Sequence, residues 1–175
     1  SDIFRLKGIV KRDYPSVPYF MLGHSFGSLL LREYVMRFKD DLDGIVLAGT
    51  MNPSNIEVLY GSILAKIIGL VRGKHFRSGI LNYLAVGKNN GRFKEEGRNS
   101  WLTRDKEVVK WFNKEPLCNF VFTVGAYQDM FEALSEVNKA ENIINVDKNL
   151  PILMLSGDKD PVGRQGKAVK KLFNV

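Results

Sequence analysis

One pentapeptide constrains the fold of this chain more than any other feature: Gly23-His24-Ser25-Phe26-Gly27. It directly follows an apolar run, Val17-Pro18-Tyr19-Phe20-Met21-Leu22, and precedes a helix-like stretch from Ser28 to Arg37. The order is strand, sharp turn, helix, with a serine at the turn. A strained turn of this kind lifts a hydroxyl clear of the backbone and asks for near-absent side chains two residues to either side. Gly23 and Gly27 stand at those positions. Ser25 is therefore a candidate nucleophile, able to attack an acyl carbonyl and form an acyl-enzyme that water hydrolyses. The backbone N–H of Phe26, at the start of the helix, would point at the developing oxyanion.

Two more apolar runs extend the pattern. Asp43-Gly-Ile-Val-Leu-Ala48 closes at Gly49-Thr50, and Pro151-Ile-Leu-Met-Leu-Ser156 ends in Gly157-Asp158-Lys159-Asp160-Pro161. Short, nearly continuous apolar strands joined by a helix predict a βαβ unit with a buried parallel sheet, hence an α/β fold. Residues 51–145, between the second and third strands, read as mostly helical. Ile56, Leu59, Tyr60, Ile63, Leu64, Ile67 and Val71 recur at three and four, a broad apolar face, with Glu57, Gly61, Ser62, Ala65, Lys66 and Gly69 opposite. Further helices are expected over 2–12, 80–86, 105–113, 122–137 and 165–173, with a loop at 87–92 from its composition. The expected organisation is an α/β core from residues 1–50 and 146–175, carrying a helical cap or lid, 51–145. Such a cap would lie over the carboxyl ends of the strands, where open α/β sheets bind ligands.

At 175 residues the chain is long enough for one domain with a core, and 45% hydrophobic with 26% charged residues is ordinary for a soluble globular protein. A single cysteine, Cys118, excludes an internal disulfide framework and fits a reducing, cytoplasmic setting; its apolar surroundings predict a buried structural thiol. The stretch 56–71 is too short and interrupted to span a membrane. The net charge of +7 is concentrated: residues 61–115 hold 12 Lys/Arg against 5 Asp/Glu, and the rest balances. A basic segment of this kind suits peripheral contact with an anionic lipid surface, or an acidic substrate, or simply a solvated helical surface. Nucleic-acid binding is not expected. No recognition motif accompanies the sequence pI of about 9.5, and Gly163-Arg-Gln-Gly-Lys167 lacks the spacing of a phosphate loop. Neither a metal site nor a cofactor is expected.

A serine nucleophile needs a base, and an acid to orient it. Asp158 and Asp160 both lie in the turn after the third strand. Pro161 restrains the backbone after Asp160, which favours it as the acid; the plain alternative is that both aspartates are turn formers. The two histidines are His24, whose side chain is expected to pack beneath the turn, and His75, in the basic stretch Arg72-Gly-Lys-His-Phe-Arg77, expected to be a solvated surface residue.

With these residues in place the chain resembles the α/β-hydrolase superfamily, and within it the monoacylglycerol lipase/lysophospholipase-like serine hydrolases grouped with the serine aminopeptidases of the S33 type. The motifs are Pro18-Tyr-Phe-Met-Leu-Gly-His-Ser-Phe-Gly-Ser28, Leu42-Asp-Gly-Ile-Val-Leu-Ala-Gly-Thr50, Trp101-Leu-Thr-Arg-Asp105 and Leu155-Ser-Gly-Asp-Lys-Asp-Pro-Val-Gly163. The resemblance implies Ser25 as nucleophile, Asp160 as acid, and a cap over 51–145 that shapes an acyl-chain pocket. It implies a partial α/β-hydrolase fold, because members of the family begin with further strands and a His-Gly motif and end with a strand and loop bearing the catalytic histidine. An edge of the nucleophile strand would then lie open. Hydrolysis of acyl esters such as monoacylglycerols or lysophospholipids is the implied activity, on a small-molecule ester or lipid substrate. S33-type aminopeptidase action, or a catalytically incomplete fragment serving as scaffold or binding module, are the alternatives. The oligomeric state is not legible.

Overall fold

The computed structural model describes residues 2–39, 42–93 and 96–175. Three strands, β1 (Phe20–His24), β2 (Gly44–Ala48) and β3 (Ile152–Leu155), form a parallel sheet in the order β1-β2-β3. The register sets Leu22 opposite Val46 and Val46 opposite Leu153. Helix α1 (Asp2–Asp13) precedes β1, and α2 (Phe26–Arg37) runs from β1 back towards β2. One face of α2 buries Leu31, Tyr34 and Val35 against Ile45 and Leu47 of the central strand. Asp43 locks the strand starts together: its carboxylate accepts the Tyr19 N–H at 2.6 Å while its own N–H donates to the Tyr19 carbonyl at 3.0 Å.

Between β2 and β3 lie α3 (Asn55–Arg72), α4 (Gly79–Ala85), α5 (Lys106–Lys114), α6 (Val124–Val137) and α7 (Ala140–Ile143); α8 (Lys167–Phe173) follows β3. The starts of α3 to α6 are written in the sequence as Ser54, Ser78, Asp105 and Thr123, each accepting a first-turn backbone N–H. At α3 the cap is a reciprocal box with Glu57. Residues 87–92, expected to be a loop, form a short 3-10 helix. Side chains with weak helical preference still permit the tighter i to i+3 turn, which needs only a few consecutive residues.

The orientation of α3 reverses the expectation. Its long apolar stripe faces outward: Ile56, Leu59, Ile63, Ile67, Leu70 and Val71 are all exposed. The side taken to be polar is the one that packs. Ala65 is fully buried, a Cβ at Gly61 would collide with the Phe131 ring, and one at Gly69 would fall 2.6 Å from Gln128 Nε2. Small residues every fourth position let the α6 backbone approach closely, and Gln128 Nε2 donates to the Ala65 carbonyl at 3.1 Å. The resulting core joins Leu29 of α2 to Val58, Leu81, Val124, Tyr127 and Leu134. Among the described residues no helix is long and apolar enough to cross a membrane.

Candidate active site

Ser25 sits in the left-handed region, φ 52 and ψ −117, directly between β1 and α2. A non-glycine residue held there costs about 1–3 kcal/mol and needs surrounding structure to over-determine it. The determinants are visible. The Ser25 N–H donates to the Ala48 carbonyl at 2.9 Å, and the Ser25 carbonyl accepts both the Ser28 N–H at 2.9 Å and the Ser28 hydroxyl at 2.6 Å. A Cβ at Gly23 would fall 2.5 Å from the Gly27 carbonyl oxygen and 2.8 Å from the Ser28 Cα, so the turn closes on glycine there. Gly27 differs from the expectation, since a Cβ at that position meets nothing within 4 Å. Phe26 is the first residue of α2, whose opening N–H groups have no partner inside the helix. Its ring packs edge-on against Phe122, 6.4 Å between centroids.

The two aspartates of the β3–α8 turn separate cleanly. Asp158 is exposed and its carboxylate pairs with Arg104 at 2.9 Å. Asp160 is half-buried; its Oδ1 accepts the Val162 N–H at 2.9 Å. Its Oδ2 faces Gly49 and Gly163, 3.9 Å and 3.7 Å from where their Cβ atoms would stand. The same point beside Gly49 lies 3.5 Å from His24 Nε2. His24 is therefore not packed beneath the turn as expected: it is exposed, on the Asp160 side, because β1 places residues 20, 22 and 24 on one open face. His75 is exposed in the connection between α3 and α4 and does not line the cavity beside Ser25.

That cavity, about 770 Å³, has Ser25 and His24 on its wall beneath α3, α4 and α6, with apolar lining such as Val58, Leu64, Leu81, Phe122 and Phe131. Cys118, expected to be buried, is half-buried and lines it. Glu57 is the one carboxylate among the described lining residues, against Lys88, Arg98 and Arg164. Partial burial pushes its carboxyl up. Hydrogen bonds from the Ser54 backbone and hydroxyl and the adjoining Arg164 guanidinium outweigh that and hold it below the ordinary range.

A buried cation on α2 escaped sequence reasoning. Arg32, two turns into α2, is 4% exposed and donates to the carbonyls of Met51 at 3.0 Å and Val137 at 3.3 Å. Burial lowers its pKa to about 10. The only signal in the sequence is a charge among the apolar positions of α2, which outward-facing arginines share.

The model of the family described as serine aminopeptidase, S33, matches residues 1–174. The monoglyceride lipase of Rattus norvegicus is 27% identical over 160 residues, 91% of this chain and 46% of that protein. Among solved structures, a thermostable carboxyl esterase from Bacillus coagulans, in complex with glycerol, superposes with a TM-score of 0.88 at 26% identity, covering 99% of this chain and 56% of that one. A monoglyceride lipase from Saccharomyces cerevisiae, a soluble variant with a substrate analogue, shares the fold at TM-score 0.69 and 18% identity, covering 98% of this chain and 53% of that one. The chain spans about half the length of the curated relatives it matches.

Proposed function

The chain belongs to the serine aminopeptidase S33 family and has a partial α/β-hydrolase fold, and on that premise we propose that it carries the nucleophile of a hydrolase cleaving carboxylic esters with an acyl chain, of the monoacylglycerol or lysophospholipid type. The observation that carries this reading is Ser25 itself: a strained left-handed serine at the carboxyl end of β1, opening into an apolar cavity of about 770 Å³.

In this reading the Ser25 Oγ adds to the ester carbonyl as its proton passes to an imidazole base, the histidine that the resemblance places on a loop after the acid. The carbonyl oxygen becomes an oxyanion that the Phe26 N–H, at the positive end of α2, stabilises. The alcohol leaves with the base's proton, and water repeats the addition on the acyl-serine. Asp160 is the group that orients the base: Oδ1 is held by Val162 and Oδ2 is left to accept an imidazole N–H. The helical insertion 51–145 acts as the cap, its Leu81, Phe122 and Phe131 providing an acyl-chain wall. The exposed stripe of α3, flanked by Lys66, Arg72, Lys74 and Arg77, supports peripheral contact of that cap with an anionic membrane surface.

Aminopeptidase action is the second reading, and Glu57 is the observation that bears on it, since a carboxylate in the cavity could hold a substrate ammonium. Arg164 and Ser54 already occupy it. A panel of p-nitrophenyl esters from acetate to palmitate, glycerol monoesters, lysophospholipids and amino-acyl amides separates the readings. The expected result is ester turnover that rises with chain length and is lost in Ser25→Ala. Turnover of proline amides with indifference to ester chain length would overturn it.

A further inference from the structure

A guanidinium sealed from water normally meets a carboxylate; Arg32 meets none among the described residues and spends its donors on neutral oxygens instead. Those oxygens have a particular placement. Met51 lies where the chain leaves β2 for α3, and Val137 and Asn138 lie where α6 ends. Arg32 Nη1 donates to the Met51 carbonyl at 3.0 Å; Nη2 donates to the Val137 carbonyl at 3.3 Å and reaches the Asn138 Oδ1 at 3.5 Å. Asn138 closes the ring, its Nδ2 donating to the Pro53 carbonyl at 3.1 Å. One cation on the helix that follows Ser25 thus holds both the start of the helical insertion and the end of α6 within it.

We propose that Arg32 is a positioning residue, a latch that fixes the helical insertion over Ser25 by fastening its outgoing connection and the end of α6 to α2 at once. The proposal rests on the reading of Ser25 as nucleophile only for its catalytic consequence, not for the latch. The physics is all-or-none. If either connection moves, the guanidinium loses acceptors that nothing else in a dry site replaces, and a buried charge without partners is strongly disfavoured. The planar fork suits this task because its five donors leave in fixed directions towards two segments, whereas an ammonium is a compact point charge with three freely rotating donors. Met51 and Met130 of α6 also line the cavity, so the latch sets the position of two of its walls.

The test uses Arg32→Met, Arg32→Lys and Asn138→Ala, read by hydrogen–deuterium exchange. Probes are the Val58 N–H bonded to the Ser54 carbonyl at the start of α3 and the Lys139 N–H bonded to the Glu136 carbonyl after α6. The controls are the Ile45 and Gly49 N–H groups, bonded to Pro151 and Leu155 in the sheet. The expected result is exchange about tenfold faster or more at both junctions in Arg32→Met and Asn138→Ala, a smaller rise in Arg32→Lys, and unchanged sheet amides. A rise at one junction only, an equal rise in the sheet, or no rise overturns the latch. Should Arg32→Met fail to fold, Arg32→Lys and Asn138→Ala decide by the same criterion. In parallel, the ratio of Ser25 labelling rates for a long-chain and a methyl fluorophosphonate should fall in the latch variants, and an unchanged ratio alongside faster exchange overturns the positioning role. If the parent protein takes no label, the nucleophile reading fails while the exchange data still judge the latch.

Discussion

Two glycines flank Ser25 at equal spacing, yet they answer to different forces. At Gly23 an added methyl meets backbone at 2.5 Å, and backbone cannot rotate away; at Gly27 it meets open space. Gly23→Ala should therefore cost about 1–3 kcal/mol in denaturant unfolding, the usual range for overpacking, whereas Gly27→Ala should stay within about 0.5 kcal/mol. Equal costs would contradict this account of the turn. The turn itself was legible at this scale, because a strand–turn–helix with a central serine is a local pattern. His24 was not: whether an alternate residue of a strand faces a core or open space depends on what covers that face. Arg32 was illegible for the same reason, since its acceptors are carbonyls distant in sequence and carry no side-chain signal.

Helix α3 shows what periodicity does and does not fix. The three-and-four spacing of its apolar residues correctly marks a helix and a stripe, but burial went to the small residues that let α6 approach. Contact area per helix pair depends on how close the backbones come, and Gly61, Ala65 and Gly69 decide that. Ala65→Leu should accordingly cost about 1–3 kcal/mol. Leu70→Ser, on the exposed stripe, should leave stability within about 0.5 kcal/mol while weakening cosedimentation with anionic vesicles. A stability loss at Leu70 equal to that at Ala65 would reverse the assignment of faces. The start of the helix has its own pH signature. Glu57 titrates below its ordinary range when folded, so its contribution is present above the unfolded carboxyl pKa and lost as pH falls through the folded one. The stability gap between the parent protein and Glu57→Gln should be open at neutral pH and closed in acid; a gap independent of pH would exclude the Ser54–Glu57–Arg164 cluster as its source.

At the scale of the molecule, the existence of the strands was readable from three continuous apolar runs, and the parallel pairing followed from the helices between them. The runs predict burial on both faces, as parallel sheets require. The structure buries one face under α2 and leaves Phe20, Leu22, Leu153 and Leu155 open on the other, at 47–68% exposure. Among the described residues β1 is an edge strand, and an apolar sheet face beside such an edge favours pairing with further strands, from another chain included. Leu22→Lys with Leu153→Lys should shift light scattering towards the monomer at high protein concentration, and unchanged association would locate the contact elsewhere. The same scale holds the central claim, since a strained serine, a cavity and an acid matter for function only if the hydroxyl is activated. Intact-mass analysis after exposure to a fluorophosphonate, with Ser25→Ala beside the parent protein, measures that directly. The account predicts a single adduct that the alanine variant loses; a folded protein that takes no adduct, or an adduct that survives Ser25→Ala, would contradict it.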